Sequence, residues 1–247
     1  QPELLDTLQP TDACIIGKLS ANTDELAHNM IMANLAAAIR LKNTGATIIL
    51  QYCDHHLNRP KKHPLYKLYQ DLFCLADHVV YPSNKLQQLA IFSISNNTKQ
   101  HVIYDPWQIS KQYSCRELIH EDICRIIWFG SSINTQYLVN QLKSIISQQT
   151  TSINFELTIL TQTFSINNLK EVIPSLNIVA PNWRIRFVCW SNNKQPDQLE
   201  HELAKAHIAI IPSDPNDPAK MGVSHNRVVD SARAGCLVLA SPMDSYI

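Results

Sequence analysis

Short apolar runs alternate along the chain with longer stretches in which apolar residues recur at helical spacing. Ala13-Cys14-Ile15-Ile16-Gly17 reads as a buried strand closed by glycine, and Thr47 to Tyr52 reads as a second. Between them, Asp24 starts a helix that carries Met30, Leu35, Ala38 and Ile39 to about Lys42, with Gly45 ending it. A polar loop from Cys53 to Pro64 leads into a helical stretch, Leu65 to Leu75. His78 to Tyr81 is a short strand, Ser83 caps the next helix, and His101 to Tyr104 is a further strand.

Asp105-Pro106 interrupts this series, and the stretch to about Asp122 is polar and irregular. A second series follows, with strands at Cys124 to Phe129, Phe155 to Leu160, Arg184 to Cys189, Ile208 to Ile211 and Cys236 to Ala240. The helices between them are expected at about Gln136 to Ser147, Asn168 to Ile173, Pro196 to Lys205 and Ser224 to Ala234. Such alternation predicts an α/β fold of parallel sheets with helices on both faces. The expected division is residues 1–104 as one domain, 105–122 as a connection and 123–247 as a second domain. Ligands gather beyond the carboxyl ends of strands in open parallel sheets. The loops after Phe129, Cys189 and Ile211 are therefore the first places to look for chemistry.

Composition narrows the class of ligand. With 45% apolar and 17% charged residues, the chain can build a globular core. Lysine plus arginine (21) equals aspartate plus glutamate (21), so no global basic surplus marks a partner of nucleic acid. Local basic groups remain, but the balance favours a small-molecule substrate. No segment reaches the roughly 18 apolar residues of a spanning helix, and the start lacks the layout of a secretory signal. The seven cysteines form no CxxC pair, and five sit in apolar runs, which reads as buried thiols in a reducing cytoplasm. Asn96-Asn97-Thr98 matches the glycosylation triplet, here taken as coincidence. The chain opens on Gln1, which is expected of a processed product or a fragment.

The most informative stretch is Ala206 to Tyr246. A strand ends at Ile211-Pro212-Ser213, and a proline-rich loop carries Lys220 and Gly222. Ser224 or Asn226 then begins a helix containing Arg227 and Asp230, and Gly235 leads to the next strand. A helix N-terminus presents unpaired N–H groups and a positive dipole end, which suit phosphate. Lys220 and Arg227 add full charges to the region. The alternative is an ordinary loop with an N-cap and two solvated cations.

Several segments resemble the retaining, group-one (family four) glycosyltransferases of the GT-B fold. They are Ala206-His207-Ile208-Ala209-Ile210-Ile211-Pro212-Ser213, Ala234-Gly235-Cys236-Leu237-Val238-Leu239-Ala240-Ser241 and the helix start Ser224-His225-Asn226-Arg227. Ala76-Asp77-His78-Val79-Val80-Tyr81-Pro82-Ser83 is similar to a strand of that family's acceptor domain, and Trp128-Phe129-Gly130 to its first donor-domain strand. The resemblance implies two Rossmann-like domains facing a central cleft, truncated at both ends. It also implies transfer of a sugar from a nucleotide-diphosphate donor to a glycan or other acceptor, without a metal or other cofactor. The protein would act in the cytoplasm or at the inner membrane surface, with peripheral membrane contact and no nucleic-acid partner.

The resemblance assigns Asp54, Lys220, Arg227 and Asp230 as the catalytic set. It assigns Gly130, Ser131, Ser132, Trp190, Gly222, Val223, Ser224, His225 and Asn226 to the donor. Asp230 would hold sugar hydroxyls or balance Arg227, or else serve as an i, i+3 partner of Arg227 on the helix surface. Trp190 would stack on a base, or pack beneath its loop. In the loop Tyr52 to Arg59, Asp54 would face the sugar, while His56 and His63 suit either a solvated loop or, less well, a metal. Two departures matter. The family's acidic pair falls on Gly222 and Asp230, and the loop Gly130-Ser131-Ser132-Ile133-Asn134 lacks the family's basic residue. They keep open a non-catalytic nucleotide-sugar or glycan-binding module of the same fold. A dinucleotide enzyme is disfavoured, because no GxGxxG follows any strand.

Overall fold

The computed structural model describes residues 11–19, 24–91, 97–115, 123–147, 153–175, 181–190, 197–218 and 220–246. Asn96, Pro196 and residues 116–122 of the expected connection lie outside these. The chain forms two compact units, residues 1–105 with 215–224 and 244–247, and residues 106–214 with 225–243.

The first unit holds a parallel sheet in the order β1-β2-β3-β4: Ala13–Ile16, Thr47–Gln51, His78–Tyr81 and Lys99–Val102. Helices α1 (Asp24–Asn43), α2 (Pro64–Leu75) and α3 (Asn84–Ala90) connect the strands. Burial alternates along β2 and β3, so one face of the sheet carries the core. Ile48, Leu50, Val79 and Tyr81 on that face are fully buried against Leu68, Leu72, Phe73 and Leu86 of α2 and α3. Tyr52 packs edge-on to Tyr69, Phe73 and Tyr81. The strand expected at His101 to Tyr104 lies two residues earlier. Its register is set by Asp77 and Tyr81, whose carbonyls accept from Lys99 N and Ile103 N. The apolar Ile103 and Tyr104 consequently fall beyond the pairing and are exposed.

The second unit is a parallel sheet in the order β7-β6-β5-β8-β9. Its strands are β5 Ile123–Phe129, β6 Asn154–Thr161, β7 Trp183–Cys189, β8 Ile208–Ile211 and β9 Leu237–Ala240. Helices α4 (Thr135–Ser147) and α5 (Thr163–Ser175) cover one face, through Leu138, Leu142, Ile146 and Leu169 against Ile126, Trp128, Leu157 and Ile159. On the other face, Leu199 and Leu203 of α6 (Gln198–Leu203) and Ala234 at the end of α7 (Asn226–Arg233) join a core with Ile127, Phe129, Leu160 and Ala209. Burial on both faces explains the continuous apolar runs of β5 and β6. Helix α5 begins five residues before its expected start. Its first turn inverts the usual pattern, with Phe164 exposed and Ser165 buried.

The strand order reverses between β5 and β8. Their carboxyl ends therefore flank the switch point at which open parallel sheets bind ligands.

Candidate functional site

Gly130 closes β5 at this switch point, its N–H donating to Leu160 O and its carbonyl accepting from Thr161 Oγ1. A Cβ at Gly130 would stand 3.3 Å from Trp128 Cζ2 and 3.5 Å from both Arg227 Nη1 and Asn134 Nδ2. A side chain there would fill the space that these donors border. Arg227 Nη1 is buried and has no acceptor, and neither has the buried Trp128 Nε1. Burying a guanidinium N–H without a partner is costly, so the arrangement favours a ligand with acceptor oxygens. Arg227 is the second residue of α7, whose N-terminus has no side-chain cap. The helix end adds its partial positive charge to the guanidinium.

Around this point, Ser131 Oγ accepts from Asn134 Nδ2 at 3.3 Å, and Ser132 N donates to Gln162 Oε1 at 3.3 Å. His225 and Asn226 are half-buried at the start of α7. The structure therefore brings together Gly130, Arg227 and Asn134, with Ser131, Ser132, His225 and Asn226 on the adjoining turns. Trp128 and Asn134 were not singled out from sequence. The signal available was their spacing, two residues before Gly130 and four after it.

Asp230 has a different setting from either one expected for it. It is buried, and its Oδ1 accepts from Gln108 N at 2.7 Å and Ile109 N at 3.3 Å. Burial raises its pKa above the ordinary carboxylate value, against the two N–H groups that lower it. Glu200 works alongside it, accepting from Ser110 N, Ser110 Oγ and Tyr113 Oη, and these bonds bring its pKa down to about 2. Arg233 lies over the Trp107 ring at 4.4 Å. Residues 107–113, polar and irregular in sequence, are thus strapped onto α6 and α7.

Trp190 follows β7, with its N–H on Thr161 O at 2.7 Å and its ring packed on the cluster around Ile109 and Leu199.

Lys220, Gly222, Val223 and Ser224 group with the first unit. Gly222 has φ +80°, and a Cβ there would meet Leu86 N, Cα and Cβ at 2.9 Å. Its carbonyl accepts from Ser83 Oγ at 2.9 Å, while that oxygen caps α3 by accepting from Leu86 N. The glycine lets the loop lie directly on α3. Lys220 is half-buried in a turn, its N–H bonded to Asp217 O.

In the loop after β2, Asp54 pairs with Lys18 at 2.7 Å and lies 4.0 Å from His56 Nε2. His56 is buried, stacks on Tyr69 with centroids 4.5 Å apart, and accepts from Arg59 Nε at Nδ1. Burial lowers its pKa to about 4, so the ring is neutral near pH 7. Its Nδ1 accepts, which places the ring proton on Nε2, and that N–H has no acceptor within bonding distance. His63 Nδ1 caps α2 by accepting from Leu65 N. Among the described residues, no three His, Cys, Asp or Glu side chains are grouped to hold a metal ion.

No protein-family model matches the sequence, and no curated protein does. Solved structures do share the fold. Anabaena HepE in complex with UDP-glucose superposes with a TM-score of 0.57 at 14% identity, over 93% of this chain and 60% of that one. The α,α-trehalose 6-phosphate synthase of Burkholderia multivorans gives 0.59 at 10% identity, over 99% and 60%. Sucrose-phosphate synthase of Thermosynechococcus elongatus gives 0.61 at 11%, over 85% and 54%. The chain therefore has the α/β fold of the GT-B glycosyltransferases, with a parallel sheet in each of two units. It spans 60% of the length of HepE and of the trehalose 6-phosphate synthase.

Proposed function

We propose that this chain acts as a glycosyltransferase that moves a sugar from a nucleotide diphosphate to a glycan or other acceptor. The observation that carries the reading is the buried, acceptor-free Arg227 Nη1 at the uncapped start of α7, facing the space above Gly130 at the sheet's switch point. A diphosphate supplies the oxygens this arrangement lacks. As the glycosidic bond breaks, negative charge grows on the leaving diphosphate, where the guanidinium and the helix end already stand. Such fixed charge does the work of a divalent cation, so transfer is metal-independent in this reading, and retention of configuration follows the resembled family. Ser131, Ser132 and Asn134 supply further polar groups to the donor. UDP-glucose, bound by HepE, is the first donor to test.

One observation favours the second reading, a binding module without turnover. Asp230, the one acidic residue left at the family's acidic positions, already has its carboxylate on two backbone N–H groups. Incubation with UDP-, GDP- and ADP-sugars, followed by assay of nucleoside diphosphate release, separates the two. Release that depends on Arg227 supports transfer. Saturable binding with no release, with or without added acceptor, assigns the module.

A further inference from the structure

We propose that His78 and His101 form a two-imidazole clip for a divalent transition-metal ion of the zinc type, across the last two strands of the first sheet. His78 Nδ1 and His101 Nε2 stand 2.9 Å apart, with the ring planes 17° from parallel. The strand register explains the meeting. His78 pairs with Lys99 and Val80 pairs with His101, so the two histidines lie two positions apart on the same face of adjoining strands. Val79 and Tyr81 turn the other way, into the core. His101 is exposed and His78 half-buried, so an ion from solvent reaches both rings.

Zinc–imidazole bonds are about 2.0–2.1 Å long, and two of them at about 90–110° hold their nitrogens about 2.9–3.4 Å apart. The observed separation already lies in that range. Turning the rings aims both lone pairs at one point, and the strands need not move. The present contact holds one proton between the two nitrogens. The metal takes its place, and the proton passes through water to an outer ring nitrogen, so two neutral rings release no net proton.

The surroundings select the class of ion. Asp77 precedes His78, but its two oxygens are engaged by Lys42 Nζ at 3.0 Å and Ile48 N at 2.9 Å. Lys99 shares the face, in register with His78, and is exposed. Magnesium and calcium require oxygen ligands, whereas zinc, nickel and copper bind neutral imidazole nitrogen. No third His, Cys, Asp or Glu among the described residues completes the site, so its other positions fall to water and the ion is exchangeable. Strand β4 is the sheet's edge and is only four residues long, so an ion held by both histidines pins it to β3. The clip uses none of the residues around Arg227 and stands independently of the donor reading.

The test titrates the whole chain, its histidines isotope-labelled, with zinc chloride at neutral pH and follows the imidazole nitrogens by NMR. The seven cysteines can also take zinc, so the readout has to name the ligating atoms. Zinc is expected to shift His78 Nδ1 and His101 Nε2 together and saturably, and magnesium to shift neither. His101→Gln should weaken zinc binding at His78 about tenfold or more, and His78→Gln should do the same at His101. Circular dichroism confirms that each variant is folded. No shift of this pair at millimolar zinc, or shifts confined to other histidines, overturns the proposal. So does a folded His101→Gln protein in which zinc still moves His78 at the wild-type concentration. An equal response to magnesium overturns it as well.

Discussion

Replacing Asp230 tests whether this carboxylate is a structural clamp or a sugar contact. Asp230→Ala removes the acceptor of Gln108 N and Ile109 N, and Ile109 is itself 1% exposed. A buried N–H left without an acceptor costs about 1–3 kcal/mol. Removing a desolvated carboxylate offsets part of this, since burial disfavours its charged form. The net expectation is about 2 kcal/mol, or roughly 5–10 °C in the melting temperature of the second unit. Asp230→Asn keeps an acceptor oxygen without the charge and should cost under about 1 kcal/mol. The pH dependence has a definite sign. The folded pKa lies above the unfolded value, so this group's contribution is fully present below the unfolded pKa and lost as pH rises through the folded one. Urea unfolding across that range, with hydrogen exchange at Gln108 and Ile109, measures both effects. An Asp230→Ala protein with wild-type stability and unchanged protection at these two amides would refute the clamp. Loss of nucleotide-sugar turnover in a fully stable Asp230→Asn protein would return Asp230 to the sugar.

Gly235→Ala should be more damaging than a typical surface change. Its φ is +79° and a Cβ would stand 2.3 Å from Ser114 O, so a loss of about 2–4 kcal/mol is expected in denaturant unfolding. A wild-type midpoint would mean that the 113–114 segment does not pack there. For His56, burial lowers the pKa to about 4 from an unfolded value near 6.5. Its contribution is present above the unfolded pKa and lost as pH falls through the folded one, a change on the order of 3 kcal/mol. His56→Gln should flatten the stability profile between pH 6.5 and 4, and an unchanged profile would refute a buried, neutral ring.

The order of elements was legible because strand and helix periodicities differ, and because burial on both faces of β5 and β6 leaves unbroken apolar runs. Gly130 and Arg227 were legible as candidates from their places at a strand end and a helix start. What the sequence did not disclose is long-range. Asp230 sits three residues after Arg227 on the same short helix, a spacing that suggests a local pair. Its partners lie 121 and 122 positions away in a stretch with no periodicity of its own. Gly222 likewise reads as a ligand-loop glycine, whereas its positive φ serves close packing on Leu86, 136 positions earlier in the chain. The buried donor of Trp128 was hidden because a tryptophan in an apolar strand reads as core, and it is core on every side but its nitrogen.

The most direct test of the central claim is calorimetric titration of the folded chain with UDP-glucose, GDP-glucose and ADP-glucose, repeated with Arg227→Ala. Saturable binding of one nucleotide sugar is expected, weakened about tenfold or more in the variant by the loss of a charge-assisted hydrogen bond. No binding of any of the three, or binding that Arg227→Ala leaves unchanged, would contradict it.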